Sequence, residues 1–266
     1  MPDPLLRYLE FAVETAYLAG RLTVGYFQTG LRADFKEDHS LVTVADRHAE
    51  ELIRRRIEER YPDHAIVGEE FGLKETEGSA HRWFVDPIDG TLSFVRGVPL
   101  YAVLIGLEIE GEIEVGVAYF PGLDEMLSAA TDHGTWWNGR RVRVSAVSSL
   151  HDSVVAFTDA ANFHRHNRHK EWARVQQATY YRAGWGDAYG HALVATGRVE
   201  LMLDPIMNAW DCGPFPPILR EAGGYFGDWR GNRTIFAGEA ISTSDVLLPQ
   251  VLALWQRAEA GDVASD

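Results

Sequence analysis

Two aspartates, Asp86 and Asp89, stand three positions apart directly after the hydrophobic stretch at residues 83–85. Pro87 restricts Asp86 to extended backbone, so we expect the first carboxylate at a strand end and the second on the following turn. Carboxylates this close repel each other unless they share a proton or bind a cation, and oxygen ligands favour magnesium or manganese. The spacing therefore predicts a divalent-cation site, although a helix cap followed by a turn would use the same residues.

The residues after Asp89 suit a phosphate group. Gly90 allows the backbone to approach a ligand closely, because glycine has no side chain. Thr91 is expected at the start of a helix, where unpaired N–H groups can hold phosphate oxygens. The segment thus combines ligands for a cation with donors for an anion.

Further acidic residues stand in similar positions. Glu69 follows a short predicted strand, and Asp211 follows Trp210 where a helix is predicted to begin. Each could be explained without a ligand, Glu69 as part of a solvated loop and Asp211 as an N-cap. Together with Asp86 and Asp89, they make a site of several carboxylates around metal the better interpretation.

These acids belong to a set of motifs that closely resembles the inositol monophosphatase superfamily over nearly the full chain. In chain order the motifs are Leu41-Val-Thr-Val-Ala-Asp46, Gly68-Glu69-Glu70, Asp86-Pro-Ile-Asp89-Gly90-Thr91, and Trp210-Asp211 followed by Glu221-Ala-Gly-Gly224. Four motifs in the family's order are far more specific than any one of them. The resemblance implies a magnesium-dependent hydrolase of phosphate monoesters with a layered αβαβα sandwich fold.

The resemblance also implies a role for each motif residue. The implied ligands of two or three magnesium ions, with manganese as an alternative, are Glu69, Asp86, the Ile88 carbonyl, Asp89 and Asp211. Thr91, held by Asp46 and close to Glu69, would orient and deprotonate the attacking water, which the ions activate. The N–H groups of Gly90 and Thr91 would hold the phosphate, and no covalent enzyme intermediate is expected.

On the substrate side, the sequence departs from the commonest inositol phosphatase pattern. Leu92-Ser93-Phe94 follows Thr91 and resembles histidinol-phosphate phosphatases, and Gly186-Asp187-Ala-Tyr189 adds a carboxylate. Asp204, seven positions before Asp211, stands where the inositol enzymes have a glutamate that contacts substrate hydroxyls. A pocket with both Asp187 and Asp204 would bind an ammonium group, so histidinol phosphate, from histidine biosynthesis, is the favoured substrate.

Three alternatives stay open at this point. Asp187 could instead cap the helix predicted through Thr196. The enzyme could be an inositol-1-monophosphatase, or a broad phosphatase of sugar and polyol phosphates. A protein of another class, a catalytically idle member that binds a partner protein, is disfavoured because the set of implied catalytic residues is complete.

Composition narrows the classes of function. The formal net charge of -14 argues against sequence-independent binding of nucleic acid, which depends on lysine and arginine. No apolar stretch approaches the roughly 20 residues of a membrane helix, and we find no signal peptide. Cys212 is the only cysteine, so no internal disulfide can form. We expect a cytoplasmic enzyme acting on a small phosphorylated metabolite, and the resemblance implies a homodimer.

The elements that would position these residues fall into two groups. In the first, periodic apolar residues predict helices over residues 5–27 and 46–60, the second with the pairs Glu50–Arg54 and Glu51–Arg55 on its outer face. Short apolar stretches between turn residues predict an antiparallel sheet. Its strands are expected at residues 65–67, 83–85, 101–108, 113–120, 126–130 and 142–144.

After about Ser145, strands and helices alternate as in α/β folds, with strands at 154–158 and 199–203 and helices at 167–178, 187–196 and 211–222. Gly223 is the expected stop of the last of these, and Ser242 or Thr243 is expected to cap a final helix. The predicted fold class is therefore α/β. An α+β lobe (residues 1–145) would carry the metal site, and an α/β lobe (residues 146–266) would complete the substrate site of a single catalytic unit.

Overall fold

The computed structural model describes residues 3–35 and 41–262, the last seven of them by backbone only. Its helices are α1 (Pro4–Val24), α2 (Val44–Arg60), α3 (Thr91–Val95), α4 (Ala160–Arg165), α5 (His169–Ala178), α6 (Asp187–Ala195), α7 (Ala209–Cys212), α8 (Phe215–Glu221) and α9 (Leu248–Asp262). No described helix has both the length and the apolar character needed to cross a bilayer.

The strands form one hairpin and two larger sheets. The first strands are β1 (Asp34–Phe35), β2 (Leu41–Val42), β3 (Ala65–Gly68), β4 (Gly72–Lys74), β5 (His81–Asp89), β6 (Ala102–Ile109), β7 (Glu112–Phe120), β8 (Glu125–Ala130), β9 (Gly134–Trp137) and β10 (Arg140–Arg141). The remaining strands are β11 (Val154–Phe157), β12 (Tyr181–Ala183), β13 (Leu201–Asp204), β14 (Gly224–Gly227) and β15 (Ala240–Ser244).

The first large sheet has the strand order β10-β9-β8-β7-β6-β5-β3-β4. Its strands pair antiparallel except β3 and β5, which run parallel with Gly68 opposite Val85. The expectation of a purely antiparallel sheet is therefore wrong at this pair. Because parallel strands end at the same edge, the residues that follow Gly68 and Val85 are brought together, and these are Glu69 and Asp86.

Successive side chains of β5 point to opposite faces of the first sheet and enter two different hydrophobic cores. Trp83 and Val85 face one way and pack with apolar residues of α1 and α2. Phe84 faces the other way and joins a core that includes residues of α6, α8 and the second sheet. Because both faces of the first sheet are buried here, the strand has consecutive apolar residues before Asp86 and not alternating apolar and polar ones.

The second large sheet, in the order β12-β11-β13-β15-β14, completes the layers. Its far face packs against α5 and α9 through a core that contains Trp172, Val175 and Val251. From one side to the other the layers are α1 and α2, the first sheet, α6 and α8, the second sheet, then α5 and α9. The predicted αβαβα sandwich is confirmed, whereas the division into two lobes of one catalytic unit stays a prediction.

Several predicted elements differ from the observed ones. Residues 142–144 form no strand, and the N–H groups of Val142 and Val144 donate to Thr135 and to Ala222 on different elements. The helix predicted over 211–222 is two helices, because Pro214 has no N–H to continue the hydrogen-bond ladder. Ser242 and Thr243 lie inside β15 and therefore cap no helix.

The expected position of Glu50 is also wrong. Its ion pair with Arg54 is present at 2.7 Å, but the Glu50 side chain is completely buried. The pair therefore faces the interior, where an ionised group requires hydrogen-bond partners.

Two glycines let the helix that carries Asp211 pack against the first sheet. Gly106 and Gly116 are opposite each other in β6 and β7. A Cβ atom on Gly106 would overlap the backbone of Gly213, and one on Gly116 would overlap the carbonyl oxygen of Pro214. Both contacts lie at the junction of α7 and α8, just after Asp211. Because glycine has no side chain, Gly106 and Gly116 allow α7 to lie close to the sheet.

We therefore predict that Gly116→Ala lowers the free energy of unfolding by roughly 1–3 kcal/mol, because the added methyl forces the α7–α8 junction away from the sheet. Thermal unfolding would measure the loss. Gly25→Ala is the matched control, since Gly25 is exposed and has a helical φ of -62° that alanine adopts freely. A Gly116→Ala protein as stable as the unmodified chain would contradict this packing.

Candidate metal and phosphate site

An irregularity within β5 brings the two aspartates of the first motif together. The strand was expected to end at Asp86, but it continues to Asp89. The pairing of β5 with β6 shifts its register between Asp86 and Asp89. Asp86 is 2% exposed, and its Oδ1 accepts the N–H of Ile88 at 2.9 Å, which closes the turn. Gly90 then takes the left-handed φ of 76°, and α3 begins at Thr91 as expected. A non-glycine residue would be strained at this φ.

Asp211 reaches the same place from α7. It is the third residue of that helix, and its Oδ2 accepts the N–H of Asn208 at 2.7 Å. Asp86, Asp89 and Asp211 each offer a carboxylate oxygen within 4.8 Å of the others. The structure therefore assembles three of the predicted ligands into a group that could hold a metal ion. We call them the carboxylate cluster.

Charge within the carboxylate cluster is poorly neutralised by the protein. Burial raises the pKa of Asp86 well above its usual range, and the charges of Glu69, Asp89 and Asp211 raise it further. Burial raises the pKa of Asp89 in the same way, followed by repulsion from Asp187 and Asp211. Burial also raises the pKa of Asp211 to about 7. A divalent cation would reverse these shifts, because it favours the ionised form of each carboxylate.

The donor set fits a hard cation. Glu69 is near enough to Asp86 for a side-chain hydrogen bond and to raise the pKa of Asp86 by its charge. The carbonyl of Ile88 accepts the Thr91 hydroxyl at 3.2 Å and lies in the same turn. Carboxylate and carbonyl oxygens of this kind are the ligands that magnesium and manganese prefer.

Asp46 has an unused acceptor beside this site. Its Oδ2 accepts the N–H and the hydroxyl of Thr43, at 2.8 and 2.5 Å. Its Oδ1 is buried and has no hydrogen-bond partner among the described residues. Burial raises the pKa of Asp46 to about 6, with a smaller contribution from the charge of Glu69. The hydrogen bond expected between Thr91 and Asp46 is not formed here, since the Thr91 hydroxyl donates to Ile88.

Asp187 and Asp204, predicted on the substrate side, lie next to the carboxylate cluster. Both line a cavity of about 180 Å³ together with Asp89 and Asp211. Thr158 joins the pair, because its hydroxyl donates to Asp204 Oδ2 at 3.2 Å and accepts the backbone N–H of Asp187 at 2.9 Å. The structure thus brings the predicted substrate residues together with the predicted metal ligands.

Asp187 contacts Ser93, one of the residues that depart from the commonest inositol phosphatase pattern. The hydroxyl of Ser93 lies 3.4 Å from Asp187 Oδ2. Asp187 is the first residue of α6 and has an unusual positive φ of 38°. Its carboxylate contacts Ser93, its backbone N–H donates to Thr158, and no side-chain hydrogen bond caps α6, so the alternative that Asp187 serves only as a helix cap gains no support.

The two adjoining cavities beside the carboxylate cluster form a cleft, and the sequence did not predict all of its lining residues. A second cavity, of about 400 Å³, shares Thr158 and Asp187 with the first and is also lined by Gly90, Thr91, Leu92, Ser93, Asp159 and Trp185. Trp185 is 48% exposed and has a left-handed φ of 64°. Asp159 could have been predicted from the sequence, because it follows β11 just as Asp204 ends β13, and these two strands run parallel. Such residues meet at one sheet edge.

Comparison with known proteins agrees with the layered fold and with the grouping of acidic residues in one site. The model of the inositol monophosphatase family matches residues 5–260. The chain belongs to this family. It is therefore a phosphatase that acts on phosphate monoesters, and its substrates are small phosphorylated compounds.

Similar relatives carry two names. A histidinol-phosphatase of Chlorobaculum parvum is 43% identical over 240 residues, which cover 89% of this chain and 92% of the relative. A histidinol-phosphatase of Mycobacterium tuberculosis is 33% identical, covering 92% and 96%. An inositol-1-monophosphatase of Mesorhizobium japonicum is 32% identical, covering 92% and 94%.

Solved structures share the fold. The extragenic suppressor protein suhB of Bartonella henselae superposes with a TM-score of 0.87 at 31% identity, covering 93% of this chain and 98% of the other. An inositol monophosphatase of Thermotoga maritima superposes with a TM-score of 0.85 at 28% identity, covering 96% and 99%. The layered arrangement is therefore that of the family.

Replacing Asp211 tests the repulsion within the carboxylate cluster. The pKa of Asp211 is raised from 3.8 to about 7 in the folded protein, so between these values the folded state holds a proton that the unfolded state has released. Stability of the metal-free protein is therefore lost as the pH rises through this range. We predict that metal-free Asp211→Asn is more stable than the unmodified chain at about pH 8 and that the two converge toward about pH 4.

Thermal unfolding in a chelating buffer at several pH values would measure this difference. Asp228→Asn is the control, because the carboxylate of Asp228 is also buried but its Oδ2 accepts the side-chain NH₂ of Asn232 at 2.8 Å, a bond that the NH₂ group of a substituted asparagine could not accept. It should lose stability at every pH. A metal-free Asp211→Asn protein less stable than the unmodified chain at high pH would show that repulsion does not govern the site.

Proposed function

We propose that this chain is a magnesium-dependent histidinol-phosphate phosphatase of histidine biosynthesis, active as a homodimer. One observation carries the choice of substrate: Asp187 and Asp204 line the same cavity as Asp89 and Asp211. The cleft would thus bind a phosphate through cations at one end and an ammonium group at the other. The similar relatives named histidinol-phosphatase support the same choice.

At the phosphate end, the proposed ligands of two or three magnesium ions are Glu69, Asp86, the Ile88 carbonyl, Asp89 and Asp211. Manganese, with the same preference for oxygen, could take their place. When bound, such ions supply a lowered pKa for a water and positive charge for the phosphate and the leaving oxygen. This local charge is needed, since the chain carries a net charge of -14 and its substrate is an anion.

The protein's own groups would orient the phosphate and the attacking water. The N–H groups of Gly90 and Thr91 open α3 and would donate to phosphate oxygens. A Cβ atom at Gly90 would lie 3.1 Å from Asp187 Oδ2, so glycine keeps the space between the two ends of the cleft open.

Proton transfer is assigned to Thr91, Asp46 and Glu69. The spare Oδ1 of Asp46 can accept a hydrogen bond from the Thr91 hydroxyl or from water. Its pKa of about 6 leaves it largely ionised at neutral pH, as a proton acceptor must be. Glu69 would hold the same water.

At the proposed ammonium end, Asp187 and Asp204 offer two carboxylates that could pair with a positive charge. Burial raises the pKa of Asp204, and the neighbouring charge of Asp187 raises it further. An ammonium group between them would relieve this repulsion, whereas the uncharged hydroxyls of inositol would not. The exposed ring of Trp185 at the cleft offers a flat surface on which the imidazole of histidinol could stack.

We predict that Asp187→Asn lowers kcat/KM for histidinol phosphate at least about tenfold, because a hydrogen bond between two charged groups is weakened. For inositol-1-phosphate the change should stay within about threefold. Phosphate release with magnesium would be measured for both substrates. Asp159→Asn is the matched control, because this acid lines the cavity of about 400 Å³ but already pairs with Arg165 at 3.2 Å.

The outcomes separate the substrates. Preference for histidinol phosphate that collapses in Asp187→Asn, but not in Asp159→Asn, supports the proposal. Preference of the unmodified enzyme for inositol-1-phosphate would instead make it an inositol-1-monophosphatase. Equal losses for both substrates would show that Asp187 supports the phosphate end and does not select the leaving group.

A further inference from the structure

Glu50 is a buried acid to which neither the motifs nor the proposed mechanism gives a role. It lies on α2 one turn after Asp46, and both of its side-chain oxygens are used. Oε1 accepts from the Arg54 guanidinium at 2.7 Å and from the N–H of Phe71 at 3.2 Å. Oε2 accepts from the N–H of Glu70 at 2.7 Å. The carboxylate therefore binds the turn that directly follows Glu69.

Arg54 strengthens the same attachment. Its Nη2 donates to the carbonyl of Gly72, the first residue of β4, while its Nε is paired with Glu50. The Glu50–Arg54 pair thus holds both N–H and C=O groups of the turn between β3 and β4. Bonds between charged side chains and backbone are stronger than neutral ones.

Gly68 shows that this contact constrains the sequence. A Cβ atom on Gly68 would overlap Oε1 of Glu50 and would lie 2.8 Å from Nη2 of Arg54. The φ of Gly68 is not in the left-handed region, so the glycine is needed for close approach and not for its conformation. The glycine before Glu69 is therefore matched to the ion pair on α2.

Glu69 is fixed from the opposite side by β5. Its N–H donates to the carbonyl of Val85 at 3.2 Å, and Val85 directly precedes Asp86. Held by β5 at residue 69 and by Glu50 at residues 70 and 71, the backbone of Glu69 has little freedom. Its side chain is thereby kept beside Asp86.

We infer that Glu50 is a positioning residue that sets Glu69 for cation binding, an inference that rests on the proposed metal function. Glu50 acts through the backbone of the turn and contacts neither ion nor substrate. Residues that orient metal ligands commonly contribute about 10–100-fold to metal affinity.

The test is Glu50→Gln. Glutamine keeps the size of the side chain, but its NH₂ group cannot accept a hydrogen bond, so at least one of the N–H groups of residues 70 and 71 loses its partner, and the charge facing Arg54 is lost. We expect the dissociation constant for Mn²⁺, measured from the EPR signal of the free ion, to rise about tenfold or more. The Mg²⁺ concentration for half-maximal phosphate release should rise in parallel.

Glu14→Gln is the matched control. It breaks another ion pair made by α2, between Glu14 and Arg56 at 2.6 Å, away from the turn. Both variants can lose stability, but only Glu50→Gln is expected to weaken Mn²⁺ binding. A folded Glu50→Gln protein with unchanged Mn²⁺ affinity would overturn the inference.

If Glu50→Gln does not fold, Glu50→Asp provides the test. Aspartate keeps the negative charge, but its side chain is too short to bind Arg54 and the N–H groups of residues 70 and 71 together. Weakened Mn²⁺ binding by this variant supports the positioning role, and unchanged binding overturns it. An unmodified protein that binds no Mn²⁺ would refute the proposed metal function itself, so the two failures are distinguishable.

Discussion

Mutual repulsion of buried carboxylates is the constraint on which this structure depends. Asp86, Asp89 and Asp211 lie within 4.8 Å of one another in a largely buried place, and each has a raised pKa. A fold optimised for stability alone would keep such groups apart. Here a register shift in β5 and the close packing of α7 on Gly106 and Gly116 hold them together, so the repulsion within the cluster would be relieved by a bound cation.

The same principle extends along the cleft. Asp187 and Asp204 continue the acidic lining away from the carboxylate cluster, joined by Thr158. One end would attract metal and thereby phosphate, and the other would attract an ammonium group. With cations bound at the carboxylate cluster, the chain would need no basic cluster to bind an anionic substrate, which fits its net charge of -14.

Local sequence predicted the start of α3 at Thr91 and the grouping of Asp86, Asp89 and Asp211, because turn and helix-start signals lie in neighbouring residues. The layered fold was implied by the resemblance to the family. Local sequence failed for Glu50, since an i,i+4 pair has the same spacing on a buried face as on an exposed one. The partners that make burial favourable, the N–H groups of residues 70 and 71, lie about twenty positions away. The parallel pairing of β3 and β5 is likewise a contact between distant segments.

The most direct test of the account is anomalous diffraction from crystals of the protein grown with Mn²⁺ and inorganic phosphate. The account predicts Mn²⁺ peaks within coordination distance of Asp86, Asp89 and Asp211, with Glu69 as a further ligand and phosphate beside Gly90 and Thr91. The contrary result would be a protein that has Mg²⁺-dependent phosphatase activity but whose crystals show Mn²⁺ elsewhere and no ion in contact with these carboxylates. That result would contradict the account.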